Sequence, residues 1–119
     1  MRAPENVAIV FMIERSTFTF KVEEVFENIS LEKLTEELSD TSPRYIVYIS
    51  KYTHPDGRVS YPMVFIYFMP KQINPSIAMI YSTNKVVLVN KLEINKCFDA
   101  SALETLTTPW LVEKLAFFK

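Results

Sequence analysis

Glycine and cysteine are nearly absent from this chain of 119 residues, which contains one of each. A single cysteine cannot form an intrachain disulfide, and it excludes the four-cysteine type of structural zinc site. A single glycine excludes the glycine-rich loops with which nucleotide-binding proteins hold phosphates. We therefore expect no nucleotide, no other cofactor and no metal site.

An excess of either charge is also missing, because 13 basic residues face 14 acidic ones. Proteins that bind nucleic acid nonspecifically carry a strong basic field, so a protein partner fits this chain better than nucleic acid. The longest apolar runs, residues 7–13 and 63–69, are far shorter than the roughly 20 residues that span a bilayer. The first residues lack a secretory hydrophobic region. We expect a soluble, cytoplasmic monomer without a membrane partner, folded as one domain over residues 1–119.

The apolar pattern predicts several strands. Residues 7–13 and 63–69 are unbroken apolar runs, which are typical of strands covered on both faces, so helices are expected above and below the sheet. Residues 17–22 alternate between apolar and polar side chains, as an edge strand does. Residues 96–99 form a short strand candidate.

A hairpin is predicted around His54-Pro55-Asp56-Gly57, between the strand candidates 44–53 and 58–68. Proline presets the backbone angle of a turn, and glycine adopts the positive φ that other residues resist. Pro62 cannot donate a hydrogen bond to a neighbouring strand, so we expect it at an irregularity.

Three segments are predicted to be helices. The first covers residues 31–38 with Ser30 as its N-cap, and the second covers residues 75–91 with Pro75 in its first turn. The last begins at Thr108 and Pro109. Together these elements predict an α+β fold, a three-layer sandwich in which a mixed five-stranded sheet is flanked by helices on both faces.

The helix from Pro75 has two apolar faces. A spacing of about 100° per residue groups one stripe that suits the sheet: Ile77, Ile80, Tyr81, Asn84 and Leu88. The opposite side is unusually apolar for a face that meets only water, and we interpret it as a partner-binding surface: Met79, Ser82, Lys85, Val86 and Val89. The alternative is that a neighbouring helix or a kink buries Val86 and Val89.

His54 and Asp56 allow an enzyme hypothesis, because a histidine titrates near neutral pH and a carboxylate stands two residues away. A solvated turn offers neither burial nor an oxyanion site, so we favour a noncatalytic protein. Cys97, in the short strand candidate, is interpreted as a buried structural thiol.

Three stretches of the chain resemble the glia maturation factor group of the actin-depolymerising-factor homology family, which includes cofilin. They are Arg-Tyr-Ile-Val-Tyr from Arg44, Asp-Gly-Arg-Val-Ser-Tyr-Pro from Asp56, and Trp-Leu-Val-Glu-Lys-Leu-Ala-Phe-Phe from Trp110. The resemblance implies the family's sandwich fold, which is gelsolin-like. Members usually open with a further helix, so it also implies that this helix is shortened or absent here.

The resemblance implies a partner as well. In the family the long helix, matched here by Met-Ile-Tyr-Ser-Thr-Asn-Lys from Met79, docks on actin or an actin-like fold. Cofilin-type members carry two basic residues just before this motif, where the chain has Ser76 and Ala78. That difference predicts weak binding to ordinary actin. The resemblance to the glia maturation factor group implies the actin-related protein (Arp) branching complex as the partner, with inhibition of actin nucleation and filament debranching as the activity. A cofilin-like protein that binds and depolymerises actin is the alternative.

A second partner-binding surface is predicted at the hairpin tip and the C-terminus, where it can reach actin at a filament branch junction. Its candidate residues are Lys51, His54, Asp56, Arg58 and Lys119. Ordinary solvated surface charges are the alternative for these residues. The resemblance implies a cytoplasmic location on cortical or branched actin networks, and leaves a nuclear location open.

Overall fold

The computed structural model describes residues 6–14, 16–94 and 96–115. Within these residues the chain forms strands, three α-helices and one 3-10 helix. In chain order they are β1 (Val7–Glu14), β2 (Thr19–Glu27), α1 (Leu31–Thr35), β3 (Arg44–Ile49), β4 (Tyr52–Thr53), β5 (Val59–Ser60), β6 (Met63–Phe68), α2 (Pro75–Leu92), β7 (Cys97–Ala100), a 3-10 helix (Leu103–Thr105) and α3 (Thr108–Leu115).

Five of the strands form one mixed sheet in the order β2-β1-β3-β6-β7. The first four are antiparallel to their neighbours, and β7 runs parallel to β6. The helices cover both faces of this sheet, so the predicted α+β sandwich with a five-stranded mixed sheet is confirmed. The edge position predicted for the second strand is also confirmed.

Two apolar clusters hold the layers together. Between the sheet and helices α1 and α3, Ile46 and Ile66 pack with Leu34 and Leu111. On the other face, the side chains of β3 and β6 pack against α2, with Phe65 fully buried. The central strands β3 and β6 are therefore covered on both sides, as the apolar run at 63–69 predicts.

The prediction that residues 7–13 are covered on both faces is only partly correct. Ala8 and Val10 are buried under α1 and α3, and Ile13 is buried on the α2 face, whereas Ile9 and Phe11 on that face are half-buried. Helix α2 packs mainly on the central strands, so its face of the sheet is less covered toward the β2 edge. Val25, which pairs with Ile9 across β1 and β2, is exposed.

The predicted hairpin is present, but its strands are interrupted. Its outer part is a separate two-stranded ribbon of β4 and β5, in which Gly57 has a φ of 93° and its N–H donates to the His54 carbonyl at 2.9 Å. Pro62 lies in the break between β5 and β6, where its carbonyl accepts from the Ser50 N–H at 3.3 Å. The irregularity expected at this proline is confirmed.

The short helices are fixed at their ends by side chains. Ser30 caps α1, because its hydroxyl accepts from the Lys33 N–H at 3.2 Å, and the helix ends at Thr35 rather than at residue 38. Glu32 of α1 accepts from the Thr108 N–H at 2.8 Å, which joins α1 to the start of α3. Such a carboxylate satisfies an N–H that has no partner within the helix.

Helix α3 packs on the sheet through Leu111 and Leu115, which are both buried. Trp110 is half-buried and meets the Phe98 ring edge to face at 5.8 Å. The apolar pattern of the C-terminal segment also predicts that Phe118 packs on the sheet, but Phe118 lies outside the described residues. Among the helices of the described part of the chain, none combines the length and apolarity needed to cross a membrane.

Candidate functional site

Helix α2 is the longest element, and its ends are well defined. Asn74 is the N-cap, and its side-chain oxygen accepts from the Ser76 N–H at 2.8 Å; Pro75 follows in the first turn, as predicted. At the other end Glu93 adopts a left-handed conformation with a φ of 56°, and its N–H bonds to the Val89 carbonyl. Specific contacts therefore define both ends of this 18-residue helix.

The inner stripe of α2 is the one that the sequence predicts. Tyr81 and Leu88 are buried, and Ile77 and Ile80 pack on the same cluster. Asn84 is half-buried, with its amide donating to the Ile80 carbonyl at 2.7 Å. The stripe fixes which side of α2 faces away from the sheet.

The outer face of α2 includes Met79, Ser82 and Val86, with Val87 at its border. Met79 is 69% exposed, Val86 is 60% exposed and Val87 is 49% exposed. No neighbouring helix covers Val86 among the described residues, so the alternative of a buried Val86 is wrong. Helical spacing does not assign Val87 to the outer face, because this residue lies between the two faces on a helical projection. The adjacent pair Val86-Val87 is the sequence feature that points to it.

Two of the five predicted partner-binding residues of α2 lie elsewhere. Val89 is half-buried and packs against the core cluster under α2. Lys85 extends toward the sheet edge, where its Nζ donates to Asp99 Oδ1 at 2.9 Å and lies 5.2 Å from the Tyr67 ring centroid. The structure thus keeps Met79, Ser82 and Val86 on the exposed outer face and separates Lys85 and Val89 from them.

The ribbon of β4 and β5 carries the second predicted surface. Asp56 accepts from the Arg58 N–H at 3.1 Å and from Arg58 Nε at 2.7 Å, and these bonds hold the pKa of the Asp56 carboxyl below its ordinary value. The Lys51 N–H donates to Asn6 Oδ1 at 3.2 Å. Lys119 lies outside the described residues. An exposed apolar pair, Val59 and Tyr61, stands beside this charged tip and was not predicted.

His54 and Asp56 bond to different residues in the structure. His54 Nε2 lies 2.9 Å from the Ser60 hydroxyl, and the ring meets Tyr52 edge to face at 4.8 Å. Asp56 bonds to Arg58 instead. The histidine therefore connects the two strands of the ribbon, a structural role that fits its half-buried position.

The described part of the chain offers few residues that could bind a metal ion or an anion. No group of three His, Cys, Asp or Glu residues is placed to bind a metal ion there. A cleft of about 500 Å³ opens beside the start of α2 and includes Arg44, but two hydrogen bonds of 2.9 and 3.0 Å engage that guanidinium with Glu23. Cys97 is half-buried, and burial raises the pKa of its thiol.

Comparison with known proteins points to one family. The family model described as cofilin/tropomyosin-type actin-binding protein matches residues 1–116. Glia maturation factor beta of Homo sapiens is 42% identical over 113 residues, covering 95% of this chain and 80% of the relative. Glia maturation factor of Drosophila melanogaster is 31% identical over 114 residues, covering 96% and 83% respectively.

Solved structures give the same picture. The solution structure of glia maturation factor from Caenorhabditis elegans matches with a TM-score of 0.80 at 26% identity, covering 95% of this chain and 82% of that one. The crystal structure of Streptomyces griseoflavus cofilin matches with a TM-score of 0.82 at 16% identity, covering 98% and 85%. The second likeness concerns the fold alone.

Proposed function

The chain belongs to the cofilin/tropomyosin-type family of actin-binding proteins, on its glia maturation factor branch, and from this we propose that it regulates branched actin networks by binding the actin-related protein complex. Bound there, it inhibits nucleation and promotes release of branches. The protein acts by occupying a surface, without covalent chemistry, at the cytoplasmic actin cytoskeleton.

The observation that carries this proposal is the outer face of α2. Met79 and Val86 are among the most exposed large apolar side chains of the described residues, and the exposed Val87 extends the same patch. Exposed apolar groups on a rigid helix, bordered by polar ones such as Ser82, are typical of a protein-docking surface. Met79 adds an adaptable side chain that fits irregular partner surfaces.

The choice of partner depends on the first turns of α2. Ser76 and Ala78 occupy the positions where the cofilin-type pattern has two basic residues, so this end of the docking helix brings no positive charge. Charged groups at a contact raise association rates and form stronger hydrogen bonds, and their loss weakens binding to bare actin. An actin-related subunit with a less acidic contact surface is the better match.

The mechanism is competitive. A protein seated where the first subunit of the daughter filament meets the branching complex binds the separated state better than the joined state, and so shifts the equilibrium toward release. The charged ribbon supplies a second contact, with Lys51 at its base and His54, Asp56 and Arg58 at its tip directed at the daughter filament. Lys119 is assigned to the same contact.

Co-sedimentation tests the proposal. The purified chain is mixed with the branching complex and, separately, with bare actin filaments at the same salt concentration, and branch lifetimes are followed by microscopy. We expect binding to the complex and shorter branch lifetimes. Comparable binding to bare filaments would instead favour a cofilin-like depolymerising protein, and binding to neither would contradict the proposal.

A further inference from the structure

Lys85 lies where α2 crosses toward the edge strand β7. Its Nζ is 2.9 Å from Asp99 Oδ1 and 5.2 Å from the centre of the Tyr67 ring. The Lys85 side chain is only 26% exposed, whereas that of Asp99 is 70% exposed. The lysine side chain therefore packs along the protein's own surface, and its ammonium group is directed at the sheet.

The sheet register explains why these three groups meet. Tyr67 of β6 and Asp99 of β7 are directly paired neighbours, so their side chains stand on the same face, under α2. The Tyr67 ring stacks on Tyr45 at 5.7 Å, and Tyr45 packs on Tyr81 of α2 at 5.2 Å. Lys85 follows Tyr81 by one helical turn, so it continues this row from the core to the edge of the sheet.

The two contacts of Lys85 act together. A cation over an aromatic ring and an ion pair each contribute modestly at a surface, and the ring also shields one side of the ammonium from water. Burial raises the pKa of Tyr67 to about 12, so its ring stays neutral at physiological pH. A partner that recruited Lys85 directly would first have to break both contacts.

We propose that Lys85 is a positioning residue, whose contacts with Asp99 and Tyr67 hold α2 against β7 and so set the direction in which Met79 and Val86 meet an actin-related partner. The inference rests on the proposed function, and it assigns Lys85 a role different from a direct charge contact. Within the described sheet β7 pairs only with β6, so the side-chain connection to α2 adds a restraint on this edge strand.

A charge exchange tests this role. Lys85→Glu and Asp99→Lys each place like charges side by side, and we expect each to weaken binding to the complex by about 5- to 10-fold. The double variant, with the charges exchanged, restores the pair and should return to within about 2-fold of the wild type. Lys91→Glu, an exposed charge reversal on the same helix, is the matched control and should stay within about 2-fold.

The opposite result is equally clear. If the double variant binds no better than Lys85→Glu alone, the lysine contacts the partner directly and the inference is wrong. A salt bridge within the protein tolerates the exchange, whereas a contact with a fixed partner surface does not.

Amide hydrogen exchange of the isolated chain separates this inference from the proposed function. We expect faster exchange in α2 and β7 for each single variant and recovery in the double variant. If the wild type fails to bind the complex, the proposed function fails, while this exchange pattern still decides whether Lys85 holds α2 in place. Equal exchange in all four proteins would overturn the inference.

Discussion

The hydroxyl of Tyr81 accepts a hydrogen bond from the backbone N–H of Ile13 at 3.0 Å, across 68 residues of sequence. Tyr45 in turn donates its hydroxyl hydrogen to the Tyr81 carbonyl. These bonds tie α2 to β1 and β3 in the middle of an apolar cluster. The orientation of the outer face of α2 therefore depends on a buried polar network as well as on packing.

Tyr81→Phe should lower the free energy of unfolding by about 1–3 kcal/mol, because the ring stays in place while the buried N–H of Ile13 loses its acceptor. Urea titration measures the change. Tyr61→Phe removes the hydroxyl of an exposed tyrosine and should leave stability within about 0.5 kcal/mol of the wild type. Equal effects of the two substitutions would show that the bond to Ile13 contributes nothing.

Much of the fold was predictable from local patterns. The unbroken run at 63–69 indicated a strand buried on both faces, and Pro75, Ser30 and the Pro55–Gly57 turn marked element boundaries with specific backbone chemistry. These features could be predicted because turn, cap and burial preferences act over only a few residues. The apolar run at 7–13 did not reveal that Ile9 and Phe11 are only half-buried, because their burial depends on how far α2 extends over the sheet.

The candidate site was predictable only in part. Helical spacing correctly placed Met79, Ser82 and Val86 on the outer face of α2. It could not show that Lys85 turns toward Asp99, because that contact depends on the parallel pairing of β6 with β7. Assigning these residues a binding role stays a prediction.

Phe65→Ala should cost about 3–5 kcal/mol of unfolding free energy, since the ring is fully buried between β6 and α2 and its removal leaves a cavity. Met79→Ala truncates a large side chain that is mostly exposed, and should change stability by no more than about 0.5 kcal/mol. Chemical denaturation of both variants makes the comparison. A cost near zero for Phe65→Ala would contradict the two-sided cover of β6.

Val86→Asp should weaken binding to the branching complex by at least about tenfold, because it would bury an unpaired carboxylate in an apolar contact. Stability should hardly change, since Val86 is exposed in the isolated chain. Val112→Asp makes the same change on α3, on the opposite face of the sheet, and should bind like the wild type. A loss in both variants, or in neither, would remove α2 as the docking element.

His54→Ala should change binding and branch release by no more than a few-fold. Its ring contacts Ser60 and Tyr52 within the ribbon, so its loss loosens one turn without removing a reacting group. Branch lifetimes measured at saturating protein report the effect. Complete loss of activity in a folded variant would instead revive an enzymatic role for His54 and Asp56.

Stability should fall on acidification in part through Glu32, whose carboxylate accepts from the Thr108 N–H at 2.8 Å and from its hydroxyl at 2.7 Å. These hydrogen bonds hold the pKa of Glu32 below its ordinary value. A carboxyl with a lowered folded-state pKa contributes stability that is present above about pH 4.3, the ordinary value, and is lost as the pH falls through the folded value. Glu32→Gln should therefore be less stable than the wild type at pH 7 and lose less stability between pH 5 and about pH 3, as thermal unfolding across this range would show.

Thr108→Ala, which keeps the N–H but removes the hydroxyl, should lie between Glu32→Gln and the wild type. If Glu32→Gln lost as much stability on acidification as the wild type, the connection between α1 and α3 would not depend on the ionised carboxylate.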